Sequence, residues 1–308
     1  MYTFNVVLAS PRGFCAGVER AIETVRRAVS YYGSPIYVLH EIVHNKHVIQ
    51  ELEELGVVFV EELEDVPQGQ LCIFSAHGVS VEVEKMAGSY GLKTIDATCP
   101  LVGSVHRMAE RYHSEGCEVI IIGHHKHPEV EGTAGRVVNG TVHVVANIKD
   151  VDALTVKDAE KVGFVTQTTL SREDLTPIRE RLQERFPKIR GPLSNICFAT
   201  ENRQCAVKQL AKKTDLIFVV GSKNSSNSNR LKEVAEINGT PAHLIDDRDD
   251  IRAEWLEGVT SVGITAGASA PERLVDGVLE RLTEIGCTSI STMDGIKETI
   301  RFKPAAIK

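Results

Sequence analysis

Cys15, Cys99 and Cys197 each end an apolar, strand-like run and precede a helix-like one. Their settings are VVLASPRGFCAGVERA, TIDATCPLVGSVHRMA and GPLSNICFATENRQCAV, and the cysteines are spaced by 84 and 98 residues. A thiol at a strand-to-helix turn faces unpaired backbone N–H groups and the positive end of a helix dipole, which favour the thiolate. Thiolates are metal ligands, so three of them from three similar settings could converge on one metal centre. None belongs to a CxxC pair, so the case rests on their equivalent positions.

The other cysteines read differently. Cys72 lies inside LCIFSA and Cys117 just precedes EVIIIG, where a cysteine acts as a small buried hydrophobe. Cys205 falls two turns into a helical segment and Cys287 near the tail, neither in a turn. Three thiolates suit zinc or an iron–sulfur cluster. A fully ligated cubane takes four cysteines, so three would leave one iron open to substrate.

A second set of residues points to an anion. GSKNSSNSNR offers Ser225, Ser226 and Asn227 at a strand end before a helix, where backbone N–H groups can face phosphate oxygens. Ser269 in TAGASAPERL repeats the arrangement. His44, His77 and His127 could donate to the same anion. Glu129 in HPEVEG shares a turn with His127, and a buried carboxyl beside a hydroxyl such as Thr168 could hold or relay a proton. Taken singly, each could be a solvated loop residue or a helix-start preference. Taken together at matching strand ends, they read as a site.

The elements that must position these residues alternate. Strand candidates are FNVVLA, PIYVL, LCIFSA, EVIIIG, KVGFVTQ, DLIFVVG and SVGITAG. Helical candidates span 18–30, 82–90, 103–114, 175–186, 200–213, 229–238 and 270–285. Continuous apolar strands alternating with helices predict an α/β fold with parallel sheets, whose ligands bind outside the C-terminal strand ends. The turns form three series: 15, 99 and 197; 44, 127 and 225; 77, 168 and 269. They march nearly in step and predict a triplicated α/β unit around a central site. The expected units are 1–97, 98–194 and 195–285, with a tail at 286–308 that packs back onto the body.

Composition excludes several classes. The chain of 308 residues has no apolar run of about 18, which argues against a membrane span. The start MYTFNVVLASPRG lacks a basic segment followed by a long apolar one, so no signal peptide is expected. Seven scattered cysteines do not suggest a disulfide framework, and a reducing cytoplasm is expected. A formal net charge of −7 disfavours nucleic acid as a partner. No GxGxxG follows a strand, so no nicotinamide or flavin site is expected.

PRGFCAGVERA, HEIVHN, FSAHGVS, DATCPLV, GHHKHPEVEGT, TQTTLS, GSKNSSNSNRL and TAGASAP, in this order from about Val6 to Pro271, closely resemble the 4-hydroxy-3-methylbut-2-enyl diphosphate reductases. The resemblance implies a trefoil of three α/β units around one 4Fe–4S cluster with one open iron, held by Cys15, Cys99 and Cys197. It implies a substrate diphosphate held by His44, His77, His127, Ser225, Ser226, Asn227 and Ser269, with Glu129 as proton source acting with Thr168. The implied reaction removes an allylic hydroxyl with two electrons and two protons, giving isopentenyl and dimethylallyl diphosphate, the last step of the non-mevalonate isoprenoid route. A ferredoxin or flavodoxin would deliver the electrons transiently. Residues 135–158 and the tail after Cys287 carry no implied role. Two other readings of the residues remain: a zinc-dependent hydrolase or lyase on a phosphorylated substrate, and a non-catalytic phosphometabolite-binding protein.

Overall fold

A computed structural model describes residues 2–307. The chain divides into two compact units. One comprises residues up to Val18, His44–Gln50 and Phe198–Arg301; the other comprises Glu19–Val43, Glu51–Cys197 and the residues from Phe302 on.

All seven apolar runs form strands: β1 (Phe4–Leu8), β2 (Ile36–Leu39), β4 (Leu71–Phe74), β6 (Glu118–Ile122), β8 (Val162–Thr166), β9 (Leu216–Val220) and β11 (Ser261–Ala266). Five further strands occur: β3 (Val57–Val60), β5 (Lys93–Asp96), β7 (Val142–Val145), β10 (Ala242–Ile245) and β12 (Cys287–Thr292). Each of these five lies at a sheet edge. An edge strand needs no two-sided apolar run: β5 exposes three of its four residues and β12 nearly all of its side chains. The helices are α1 (Ala16–Tyr32), α2 (Lys46–Glu54), α3 (Val81–Ser89), α4 (Pro100–Ser114), α5 (Pro128–Ala134), α6 (Ile148–Ala153), α7 (Arg172–Arg185), α8 (Phe198–Ala211), α9 (Ser226–Ile237) and α10 (Glu272–Ile285). Three short ones, α2, α5 and α6, were not expected. Residues 135–158 therefore contain β7 and α6.

The fold is α/β, and every strand pairing among the described residues is parallel. The first unit holds the sheet β10-β9-β11-β1-β12; the second holds β3-β2-β4-β5 and β7-β6-β8. The three sheets share one internal order, 10-9-11, 3-2-4 and 7-6-8, which is the expected triplication expressed as topology. In each, the chain reverses its direction of travel between the second and third strands of this order, the switch point where α/β sheets open a crevice. A fourth segment flanks the third strand each time. It is β5 beside β4, β1 beside β11, and a single bridge at Arg190 beside Gly163 of β8.

That fourth segment corrects the expected boundaries. β1, at the start of the expected unit 1–97, completes the sheet of the last unit. The repeat is cyclically permuted, and strand pairing over such a separation leaves no local trace in sequence. The tail adds β12 in parallel beyond β1.

The packing face alternates with the period of two expected of a strand. On β9, Leu216, Phe218 and Val220 join Phe4, Val6 and Leu8 of β1 under α10, while Ile217 and Val219 pack with α8 and α9. The sheet is covered on both faces, so what it offers to ligands is its C-terminal edge.

Gly286 lets the tail leave α10. Its φ is 145°, and a Cβ there would stand 2.0 Å from the Tyr2 carbonyl oxygen. Gly286→Ala is expected to cost roughly 1–3 kcal/mol, read as a lowered thermal midpoint. An unchanged midpoint would show that β12 adds nothing to stability.

Candidate active site

The three cysteines share one mount. The Cys15 N–H donates to the Ala268 carbonyl at 3.1 Å, the Cys99 N–H to Ala76 at 3.0 Å, and the Cys197 N–H to Thr168 at 3.0 Å. Each acceptor lies two residues past the end of the third strand of its sheet: β11, β4 and β8. Each cysteine also immediately precedes a long helix, α1, α4 or α8, and Cys99 is the N-cap of α4 with Pro100 behind it. Proline at the first helical position has no N–H to leave unpaired, so it suits this start. A reciprocal pair holds the approach to Cys197. Thr166 N–H donates to Asn195 Oδ1 at 2.9 Å and Asn195 N–H to Thr166 Oγ1 at 3.0 Å.

No cysteine is in a disulfide; Cys15, Cys99 and Cys197 are partly exposed, whereas Cys72 and Cys117 are buried. Burial pushes the Cys72 thiol up to about 11, which keeps it protonated and inert. Cys15, Cys99 and Cys197, each partly exposed ahead of a helix, are each suited to act as a metal-ligating thiolate. Among the described residues, no three His, Cys, Asp or Glu side chains are drawn together as ligands of a single ion would be. A cubane makes no such demand, because each thiolate binds a different iron.

The middle series lies five residues past the ends of β2, β6 and β9, at His44, His127 and Ser225. His127 and Ser225 are the N-caps of α5 and α9. Next to His44, buried Asn45 takes that part for α2, its Oδ1 accepting from the N–H groups of His47 and Val48 at 3.2 Å each.

In the first unit, Ser225 Oγ accepts from Ser228 N–H at 3.3 Å and from Ser228 Oγ at 3.0 Å, which leaves its own proton for an outside acceptor. Ser226 opens α9 and is half-buried. Asn227 is 5% exposed, yet neither its amide nitrogen nor its amide oxygen has a partner. A buried, unsatisfied amide costs stability, and a polar ligand there would supply the missing partners. Ser269 Oγ donates to the His44 carbonyl at 2.8 Å, so it also fastens the histidine's turn.

In the second unit, His77 and His127 stand edge to face with ring centroids 5.9 Å apart. His127 Nδ1 accepts the Glu129 N–H at 3.1 Å, which assigns the proton of the neutral ring to Nε2. His77 Nδ1 pairs with buried Ser75 Oγ at 3.2 Å. Glu129 is 3% exposed and bound at both oxygens by one residue. Thr168 N–H donates to Oε1 at 2.6 Å and Thr168 Oγ1 to Oε2 at 2.8 Å. Burial outweighs these two bonds and raises the Glu129 carboxyl to about 7. Glu131, the alternative helix-start acid, is exposed.

The spacing of the third series needs one adjustment. His77 and Ser269 lie three residues past their strands, whereas Thr168 lies two past β8. Thr168 is thus the counterpart of Ala76 and Ala268, and its carbonyl carries Cys197. Gln167 was missed from sequence although it lies in the TQTT motif. Its Oε1 accepts the His124 N–H at 3.0 Å and its Nε2 donates to Thr169 Oγ1 at 2.8 Å, tying the turns after β6 and β8 together.

The family model described as LytB protein matches residues 6–283. The chain belongs to the LytB family. Two curated proteins similar to this LytB chain are named 4-hydroxy-3-methylbut-2-enyl diphosphate reductase. That of Desulfotalea psychrophila is 62% identical over 98% of this chain and 96% of its own length. That of Aromatoleum aromaticum is 53% identical over 97% of this chain and 96% of its own length. Among solved structures, the E-1-hydroxy-2-methyl-but-2-enyl-4-diphosphate reductase of Plasmodium falciparum superposes with a TM-score of 0.91 at 38% identity, covering 98% of this chain and 95% of that one. This LytB chain is an enzyme of the reductase class. Among the described residues no helix is long and apolar enough to cross a membrane.

The raised Glu129 pKa has a consequence for stability. The fold favours the protonated form, so the contribution of Glu129 is full below its ordinary value of 4.5 and is lost as pH rises through about 7. Wild type is expected to lose on the order of 3 kcal/mol relative to Glu129→Gln between pH 4.5 and 8. Denaturant unfolding of both proteins at the two pH values measures this. A pH-independent difference would contradict the burial argument.

Proposed function

We propose that this chain is a 4-hydroxy-3-methylbut-2-enyl diphosphate reductase that removes the allylic hydroxyl with two electrons and two protons, giving isopentenyl and dimethylallyl diphosphate. The observation that carries the reading is the repeated cysteine mount, which gives Cys15, Cys99 and Cys197 the same backbone setting and supports the proposal that they hold one 4Fe–4S cluster with an open iron. When bound, the cluster supplies the electrons and a Lewis-acidic iron for the departing oxygen. The electrons come from a transiently docked ferredoxin or flavodoxin.

The chain's own residues do the rest. Ser225, Ser226 and Asn227 at the start of α9 offer hydroxyl, amide and backbone donors to the diphosphate, and Ser269 with His44 completes that cradle. His77 and His127 serve as further donors to the same anion, His127 through its Nε2–H. Glu129 stores a proton near neutral pH and releases it to the leaving oxygen, which departs as water. Thr168 fixes both carboxyl oxygens, so the proton is presented from one geometry.

The protonated carboxyl is the active form, so kcat/KM is expected to fall as pH rises through about 7. Thr168→Val removes a bond that favours the carboxylate, so the fall moves to higher pH. Glu129→Gln should lower kcat by about 10²–10⁴-fold. The test is an anaerobic assay of brown, iron-loaded protein with 4-hydroxy-3-methylbut-2-enyl diphosphate and reduced viologen. Formation of both products with these pH profiles is expected. An active, colourless zinc form, a loaded protein that binds without turnover, or full activity in Glu129→Gln would overturn the reading.

A further inference from the structure

Among the described residues, Arg203 is the largest wholly buried side chain, six residues past Cys197 on α8. Its Nε and Nη2 donate to the Gly13 carbonyl at 3.0 and 2.7 Å, and Nη2 also donates to the Phe14 carbonyl at 3.0 Å. Nη1 donates to the Ala199 carbonyl at 2.9 Å and to Glu298 Oε1 and Oε2 at 3.1 and 3.2 Å. Asn202 Nδ2 donates to the same Glu298 Oε1 at 3.0 Å.

The Phe14–Cys15 peptide is therefore fixed at both ends. Its carbonyl is held by Arg203 and its N–H by the Ala268 carbonyl. The preceding peptide carbonyl, Gly13, is held twice by the same guanidinium. The cysteine that follows keeps little freedom beyond rotation of its own side chain, so ligation there costs little further ordering.

A buried guanidinium is tolerable only with a counter-charge. The C-terminal tail brings it: Glu298 is the carboxylate that meets Arg203, with its side chain 12% exposed. The tail runs along the segment that leads to Cys15. Met293 N–H donates to the Leu8 carbonyl at 2.9 Å, and a Cβ on Gly295 would stand 2.0 Å from the Ser10 carbonyl oxygen.

We propose that Arg203 is a positioning residue for Cys15, and that Glu298 is the counter-charge that keeps it in place, so that the tail sets how firmly Cys15 holds its iron. This rests on the reading of Cys15 as a cluster ligand.

The test compares full-length, anaerobically iron-loaded wild type with Arg203→Met, Arg203→Lys, Glu298→Gln and the double variant Arg203→Met/Glu298→Gln. Leu282→Ala, a core truncation on α10, is the control. Two quantities are read: the rate of iron loss to a ferrous chelator, followed by visible absorbance, and the thermal midpoint. Arg203→Met and Glu298→Gln should lose iron about 10–100-fold faster than wild type, and Arg203→Lys should rescue in part. The double variant should regain thermal stability, since no charge is left buried, yet still lose iron fast. Leu282→Ala should be destabilised but hold iron like wild type. Wild-type release rates in the Arg203 and Glu298 variants, or release that tracks the midpoint in every variant including Leu282→Ala, would overturn the inference. A wild-type chain that takes up no iron overturns the cluster reading and this inference with it.

Discussion

The arrangement turns on one backbone hydrogen bond made three times. In each sheet the segment beside the third strand ends in a cysteine whose N–H is tied to the carbonyl two residues past that strand. The bond fixes the chain immediately before the following helix begins. It places each thiol at a C-terminal sheet edge, ahead of a helix N-terminus. The bond itself is made by backbone atoms, so the side chains that support it can differ from unit to unit: Arg203 before Cys15, Asn195 with Thr166 before Cys197. That explains why the settings of Cys15, Cys99 and Cys197 share so little sequence.

The same plan lets the other turns specialise. Five residues past the second-series strands the chain places a histidine or a serine, each at or next to a helix cap. The start of α9 is rich in donors and holds a buried amide without partners, which suits an anion. The turn after β6 holds a carboxyl in an apolar setting, which suits a proton store near neutrality. Thr168 joins two of these tasks in one residue. Its N–H and hydroxyl hold Glu129 and its carbonyl holds Cys197.

Much of this was legible in sequence, for physical reasons. β1, β2, β4, β6, β8, β9 and β11 carry enough apolar residues to announce themselves, and the turns after them carry the chemistry. The edge strands β3, β5, β7, β10 and β12 did not announce themselves, because an edge strand takes its regularity from a neighbour. The place of β1 in the last sheet was hidden for the same reason: its partner β11 is more than 250 residues away. Thr168 was grouped with His77 and Ser269 by spacing, whereas its hydrogen bonds group it with Ala76 and Ala268. Arg203 read only as part of the helical segment 200–213. Nothing local pairs it with Glu298, 95 residues on, or with the carbonyls before Cys15.

The central claim is that the three equivalently mounted thiols carry a single cluster, and anaerobic native mass spectrometry of the intact protein tests it most directly. One 4Fe–4S unit per chain is predicted, lost or reduced in Cys15→Ser, Cys99→Ser and Cys197→Ser and retained in Cys72→Ala and Cys205→Ser. A chain that keeps its full iron and sulfide mass when any one of Cys15, Cys99 or Cys197 is replaced would contradict the account.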